Sequence, residues 1–196
     1  MKTVLLIETG IANIASVKAA FERENVGVIQ SNDPQAISEA PYVVLPGVGA
    51  FGPGVEALNR FDISTVLKKR VSKNLPTLAI CLGMQLLFDS SQESPGVTGL
   101  GIFPGDVSLL PTTLPLPHLS WQRVQAEQGF EKSSCGWAYF AHSYGVLKAP
   151  IGCEVLMSEY GQPFVAAFRR EKLLACQFHP ELSGEFGKTI LREFLS

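Results

Sequence analysis

Short continuous apolar runs, separated by amphipathic stretches, dominate the first half of the chain. Residues 4–7, 26–29, 42–45 and 77–80 read as strands, and 4–7 and 77–80 are apolar enough to be buried on both faces. Between them, Asn13 can cap a helix that places Ile14, Val17, Ala20 and Phe21 on one side, after a turn over residues 9–13. Asp33-Pro34 opens a second helix with Asp as cap and Pro at its first position. Residues 55–72 are helical in pattern, and 82–88 read as the first turns of a helix that ends at Pro95-Gly96. Strands alternating with helices imply parallel βαβ units.

The second half reads differently. Residues 99–117 are irregular and carry prolines at 104, 111, 115 and 117. Residues 137–144 are aromatic-rich and strand-like. Residues 164–168 and 173–178 form a hairpin about the charged turn 169–172, and 184–195 form a closing helix with Phe186, Ile190, Leu191 and Phe194 on one side. The fold class is therefore α/β: a central, mostly parallel sheet flanked by helices, with an added antiparallel β region in the C-terminal half. One domain over residues 1–196 suits this length, with no repeat or long linker.

Composition narrows the functions. With 46% hydrophobic and 17% charged residues and a net charge of −2, the chain is an ordinary globule with nothing that favours nucleic acid or an anionic membrane. The apolar start at residues 4–7 stops at Glu8, short of the ~7–15 residues of a signal-peptide core. No run approaches the ~20 residues of a membrane helix. The four cysteines form no C-x-x-C pair, which argues against zinc and dithiol chemistry. A reduced, cytoplasmic protein without metal or cofactor is expected.

Cys81 carries the first chemical signal. It stands where a strand meets a helix, between the small residues Ala79 and Gly83. That is the pattern of a nucleophile elbow, a sharp turn that lifts one side chain out of the sheet. A helix N-terminus there favours a thiolate, and the Leu82 N–H can donate to a developing oxyanion. The second signal is His179-Pro180-Glu181 at the end of a later strand. Proline biases His179 toward extended backbone, where residues two apart share a side, so Glu181 can orient the imidazole. His118 and His142 are weaker base candidates: His118 lies between Pro117 and a Trp segment, in a packed or interface loop, and His142 alternates with apolar residues in a strand and lacks an adjacent carboxylate. The third signal is the loop at 47–54, with four glycines in eight residues. It follows a strand, where ligands bind in open α/β folds, and lacks the G-x-x-x-x-G-K-[ST] of a P-loop.

These motifs, Pro46-Gly47-Val48-Gly49, Ile80-Cys81-Leu82-Gly83-Met84-Gln85 and Gln177-Phe178-His179-Pro180-Glu181, resemble those of the class I (triad) glutamine amidotransferases, whose fold is flavodoxin-like. Residues 9–13, Pro117-His118-Leu119-Ser120-Trp121 and residues 139–144 are similar to the glutaminase subunits of imidazole glycerol phosphate synthases. The resemblance covers nearly the whole chain. It implies a catalytic triad of Cys81, His179 and Glu181, and an oxyanion hole from the N–H groups of Val48 and Leu82 after a flip of the Gly47–Val48 peptide. It places Gly47, Gly49, Gln85, Ser143 and Tyr144 around glutamine. It also implies a (β/α)₈-barrel cyclase partner near Asn13, His118 and Trp121, which turns the ammonia into imidazole glycerol phosphate and an aminoimidazole carboxamide ribonucleotide (AICAR) in histidine biosynthesis. The glutaminase of an anthranilate or pyridoxal phosphate synthase, a non-catalytic subunit of this fold, and a cysteine peptidase are the alternatives. Ala79, Ser120, Gln122 and Leu182 depart from the resembled pattern.

Overall fold

A computed structural model of the chain describes residues 2–10, 13–130 and 135–196. Ile11 and Ala12 of the first turn lie outside the described residues. The elements run β1 (Thr3–Ile7), α1 (Ile14–Arg23), β2 (Gly27–Ser31), α2 (Pro34–Glu39), β3 (Tyr42–Gly47), α3 (Phe51–Arg60), α4 (Ile63–Ser72), β4 (Thr77–Cys81) and α5 (Leu82–Gln85). They continue through β5 (Phe88–Ser91), β6 (Phe103–Leu109), β7 (His118–Gln128), β8 (Gly136–His142), β9 (Tyr144–Gly145), β10 (Glu154–Tyr160), β11 (Gln162–Arg170), β12 (Leu173–Cys176) and α6 (Gly184–Leu195).

Nine strands form one sheet in the order β2-β1-β3-β4-β12-β11-β10-β7-β8. The first five are parallel and the rest pair antiparallel. A second, small sheet joins β5, β6 and β9. The inner parallel strands β1, β3, β4 and β12 are buried on both faces, as their unbroken apolar runs require, while β2 at the edge is partly exposed. Val4, Leu6, Val44, Leu78 and Ile80 pack on one side with Val17 and Phe21 of α1 and Ile190 and Phe194 of α6. Leu5, Ile7, Val43, Leu45 and Ala79 pack on the other with Ile37, Val55, Leu58 and Leu67 of α2, α3 and α4. Among the described residues no helix is long and apolar enough to cross a membrane.

Three expectations change. The helix expected over 82–88 stops after Gln85. The carbonyls of Leu86 and Leu87 accept instead from the N–H groups of Leu100 and Ile102, both at 2.8 Å. This lets Phe88 leave in β5 and pack edge-on against Phe168. The helical stretch over 55–72 is two helices, and the first begins at Phe51, so half of the glycine-rich loop is helical. The stretch 99–117 contains β6, a strand interrupted in sequence by Pro104 and Gly105.

Arg70 in α4 is 1% exposed. Its guanidinium donates to the carbonyls of Ile37 and Ala40 at the end of α2, both at 2.8 Å, and to Pro76 O at 2.9 Å before β4. Burial pushes it down to about 10, so it remains charged at neutral pH. The planar fork ties α2, α4 and β4 together. Arg70→Ala strands those buried carbonyls and is expected to cost about 3 kcal/mol or more, with Arg70→Lys recovering only part. Urea denaturation of the three proteins checks this; equal midpoints for Arg70→Ala and the parent would contradict it.

Candidate active site

The carboxyl ends of three parallel strands build the site. In register, Gly47 of β3 pairs with Cys81 of β4, and Ile80 pairs with Cys176 of β12. Gln177, Phe178 and His179 follow directly from β12. Residues from three distant parts of the chain thus reach one edge, where open α/β sheets bind ligands.

Cys81 takes φ 53° and ψ −111°, a conformation that L residues resist. Strand alternation would send its side chain toward α2–α4, the side of Ala79. The left-handed turn sends it to the other side, into the core cluster that also holds Phe178 and Cys176. Close packing enforces this turn. A Cβ on Gly83 would lie 2.2 Å from the Leu45 carbonyl oxygen, and one on Gly47 would lie 2.9 Å from the Leu82 Cβ. Ala79 fits with no exposure, so the elbow tolerates it. The helix that follows has four residues, so it supplies less dipole than the longer helix expected from the sequence.

His179 Nδ1 lies 2.8 Å from Glu181 Oε1, and both side chains are nearly inaccessible. His179 is extended, as Pro180 requires, but Glu181 sits in a 3-10 turn, Pro180–Leu182, rather than in extended chain. The turn is pinned to β8. The N–H of His179 donates to Tyr139 O at 3.0 Å, and Ser183 Oγ bridges His179 O at 2.6 Å to the Tyr139 N–H at 3.0 Å. Gly187 lets α6 approach the turn: a Cβ there would stand 1.9 Å from Pro180 O. With Nδ1 held by Glu181, the other ring nitrogen is left for the hydrogen bond to Cys81.

A cleft of about 160 Å³ opens onto the sulfur. Val48, Gly49, Leu82, Gln85, Ser143, Tyr144 and His179 all line it, together with Glu93 and His142. Gly47 stands behind it, paired with Cys81. Gly49 has φ 96°, which suits glycine. Two participants were not assigned from sequence. Glu93 reaches the cleft from the turn after β5 and accepts the Phe51 N–H at 2.7 Å, capping α3, whose own preceding residue Ala50 has no capping side chain. No local pattern marks it, because the contact spans 42 residues. Gln177 stands beside the sulfur at 3.7 Å.

The three residues expected near a partner divide. Asn13 is exposed and caps α1, accepting the Ser16 N–H at 3.4 Å. Trp121 is 48% exposed on the outer face of β7, beside Leu119 on the same strand and Trp137 across the ladder. His118 is 0% exposed, so it lies beneath that face rather than on it. It stacks on Tyr160, with ring centroids 4.0 Å apart, and pairs in register with His142.

The chain's three histidines differ in charge. Burial lowers His179, but hydrogen bonds to Cys81 and Glu181 and the charges of both outweigh it and push it up to about 10. Burial pushes His118 down to about 4. Burial also pushes His142 down to about 3, the Tyr144 carbonyl opposing and the His118 and His179 charges adding. At neutral pH, His179 is therefore an imidazolium and the other two are neutral. The stabilisation from His179 is complete below pH 6.5 and is lost as pH rises through about 10. That from His118 and His142 is complete above pH 6.5 and is lost as pH falls toward about 4 and about 3. The imidazole C–H resonances are expected to show no titration near the ordinary histidine pKa of about 6.5. NMR across neutral pH checks this, and a ring titrating there would contradict the assignment.

Comparison with known proteins agrees with this architecture. A family model described as glutamine amidotransferase class-I matches residues 5–196. The imidazole glycerol phosphate synthase subunit HisH of Aquifex aeolicus is 37% identical over 201 residues, which span 99% of this chain and 96% of that one. Imidazole glycerol phosphate synthase hisHF of Arabidopsis thaliana, chloroplastic, is 37% identical over 98% of this chain and 34% of its own greater length. A crystal structure of a glutamine amidotransferase has the same fold, with a TM-score of 0.78 at 19% identity over 97% of this chain and 96% of that one. The chain therefore belongs to the class I glutamine amidotransferases, in the family of the HisH subunits of imidazole glycerol phosphate synthase.

Proposed function

We propose that the chain is one amidotransferase domain that hydrolyses glutamine to glutamate and ammonia for imidazole glycerol phosphate synthase. The observation that carries this is the meeting of Cys81 and His179 in one cleft, with Glu181 buried behind the ring, 2.8 Å from His179 Nδ1, and the ring held as an imidazolium. The Cys81 thiolate attacks the side-chain amide carbon of glutamine. The N–H groups of Leu82 and Val48 hold the oxyanion. Imidazolium His179 gives its proton to the leaving nitrogen, and ammonia departs from a glutamyl thioester on Cys81. Neutral His179 then takes a proton from the water that attacks the thioester. Glutamate leaves, and the thiolate–imidazolium pair returns. Glu181 keeps the ring in one tautomer and offsets its charge. Gly49, Gln85, Ser143 and Tyr144 hold the amino-acid end of glutamine, with Glu93 as the carboxylate for its ammonium group.

Ammonia freed at neutral pH would be protonated, so delivery to a partner is required. The partner is a (β/α)₈-barrel cyclase, which converts the ammonia and a nucleotide intermediate into imidazole glycerol phosphate and AICAR. The Arabidopsis relative, with the matched part only 34% of its length, supports a joined arrangement there. The outer face of β7 and β8 is the docking candidate here: Leu119, Trp121 and Trp137 are exposed on it, and Ala141 on β8 reaches the cleft. A reducing, cytoplasmic setting fits four free thiols.

Ammonia release from glutamine should rise when a cyclase and its nucleotide ligand are added. Cys81→Ala should abolish it. Glu181→Gln should lower kcat by about 100-fold or more, because the ring loses its orienting carboxylate. Release that survives Cys81→Ala would overturn the mechanism, and absence of stimulation by the cyclase would point to another synthase.

A further inference from the structure

A chain of hydrogen bonds runs along the wall of the cleft and ends on the Cys81 sulfur, and its direction follows from the chemistry of its members. Tyr144 O is a carbonyl and can only accept. His142 Nδ1, 2.9 Å away, must therefore carry a proton toward it. In neutral His142, Nε2 is then an acceptor, and it faces His118 Nδ1 at 3.4 Å. Gln85 must also turn its amide nitrogen to Tyr144 O, at 2.8 Å. The second hydrogen of that nitrogen meets Gln177 Oε1 at 3.0 Å. Gln177 cannot flip without setting two NH₂ groups against each other. Its own nitrogen is thus committed to Cys81 Sγ, 3.7 Å away. Gln177 is 0% exposed, so no water competes for that donor. Its main chain is fixed as well, the N–H donating to Ala166 O at 2.8 Å.

We propose that Gln177 is a further catalytic residue, whose carboxamide N–H donates to the Cys81 sulfur, stabilises it as a thiolate and aims it at the substrate carbon. The proposal rests on Cys81 being the nucleophile. It is distinct from the oxyanion hole, because the N–H acts on the sulfur and not on the substrate oxygen. It also gives Gln85 a second task. Besides facing the cleft, Gln85 fixes which end of Gln177 meets the sulfur. A donor of this kind favours the charged sulfur over the neutral thiol, since an acceptor that carries charge binds it more strongly. Histidine 179 supplies the counter-charge from the other side of the cleft, and Gln177 supplies direction.

Two variants separate the donor from the packing. Gln177→Glu keeps an acceptor oxygen for Gln85 and removes the N–H. Gln177→Asn keeps the amide but withdraws it from the sulfur by one methylene. Each is compared with the parent for urea midpoint and for the rate of iodoacetamide alkylation at Cys81, followed on the peptide that contains it. Ammonia release with the cyclase gives kcat and KM. Loss of a hydrogen bond to a charged group should slow alkylation and lower kcat by about 10–100-fold, with KM for glutamine within about twofold of the parent. Parent-like alkylation in a folded variant would overturn the proposal and leave Gln177 as packing. So would a raised KM with kcat unchanged, which would make Gln177 a binding residue. Should Gln177→Glu fail to fold, Gln177→Asn decides alone. The alkylation result stands even where the parent releases no ammonia, so failure of this proposal and failure of the glutaminase reading are told apart.

Discussion

The site depends on an absent side chain. Gly83 leaves room for the Leu45 carbonyl, which a Cβ would meet at 2.2 Å. Because β3 can press against the first turn of α5 there, the chain can reverse at Cys81 with φ 53°. That reversal moves the sulfur from the α2–α4 side of the sheet to the side where β12 delivers Gln177 and His179. The strained backbone is held by the sheet on both sides, β3 and β12 being hydrogen-bonded neighbours of β4. Strain at a reactive position persists only where the surroundings over-determine it, and here they do.

On this frame the electrostatics are divided by partner rather than by residue type. Three buried imidazoles stand on adjoining strands and turns, and desolvation opposes the charge of each. Only His179 has a carboxylate and a sulfur to offset it, so it alone becomes the cation. His118 and His142 stay neutral and act as directional hydrogen-bonding groups. Their chain of donors meets the Gln85–Gln177 chain at one carbonyl, Tyr144 O. Cleft-lining Tyr144, the neutral histidines and the amide beside the sulfur are thus parts of one connected polar network. Such a network specifies a single arrangement in a way an apolar filling would not.

Legibility in the sequence followed the strength of local constraint. The inner parallel strands were legible because burial on both faces leaves unbroken apolar runs. The elbow and the His-Pro-Glu turn were legible because glycine, proline and a small-residue spacing are demanded by backbone geometry. The extent of α5 was not, since Leu86, Leu87 and Phe88 are apolar in either a helix or a strand, and the choice is made by backbone partners at residues 100 and 102. β10 escaped because Val155, Leu156 and Met157 are apolar in succession, so no alternation marks the strand. β7 inverts the usual rule. Its inward positions include His118, while Leu119 and Trp121 face outward, so the polar residue that looks like surface is core and the apolar ones are exposed. Glu93 has no local signature, and Gln177 stands in the quoted motif without a role that its neighbours reveal, because each gains its place from a contact 42 or 96 residues away.

The central claim is that the Cys81 sulfur attacks glutamine while His179 serves the leaving nitrogen. Acid quenching of the chain during turnover, in the presence of the cyclase, followed by mass spectrometry of its peptides, tests this directly. A glutamyl group bound through the sulfur of the Cys81 peptide, accumulating with glutamine and missing without it, is the predicted result. Turnover that proceeds with a glutamyl group on another side chain, or with none trapped at any quench time, would contradict the account.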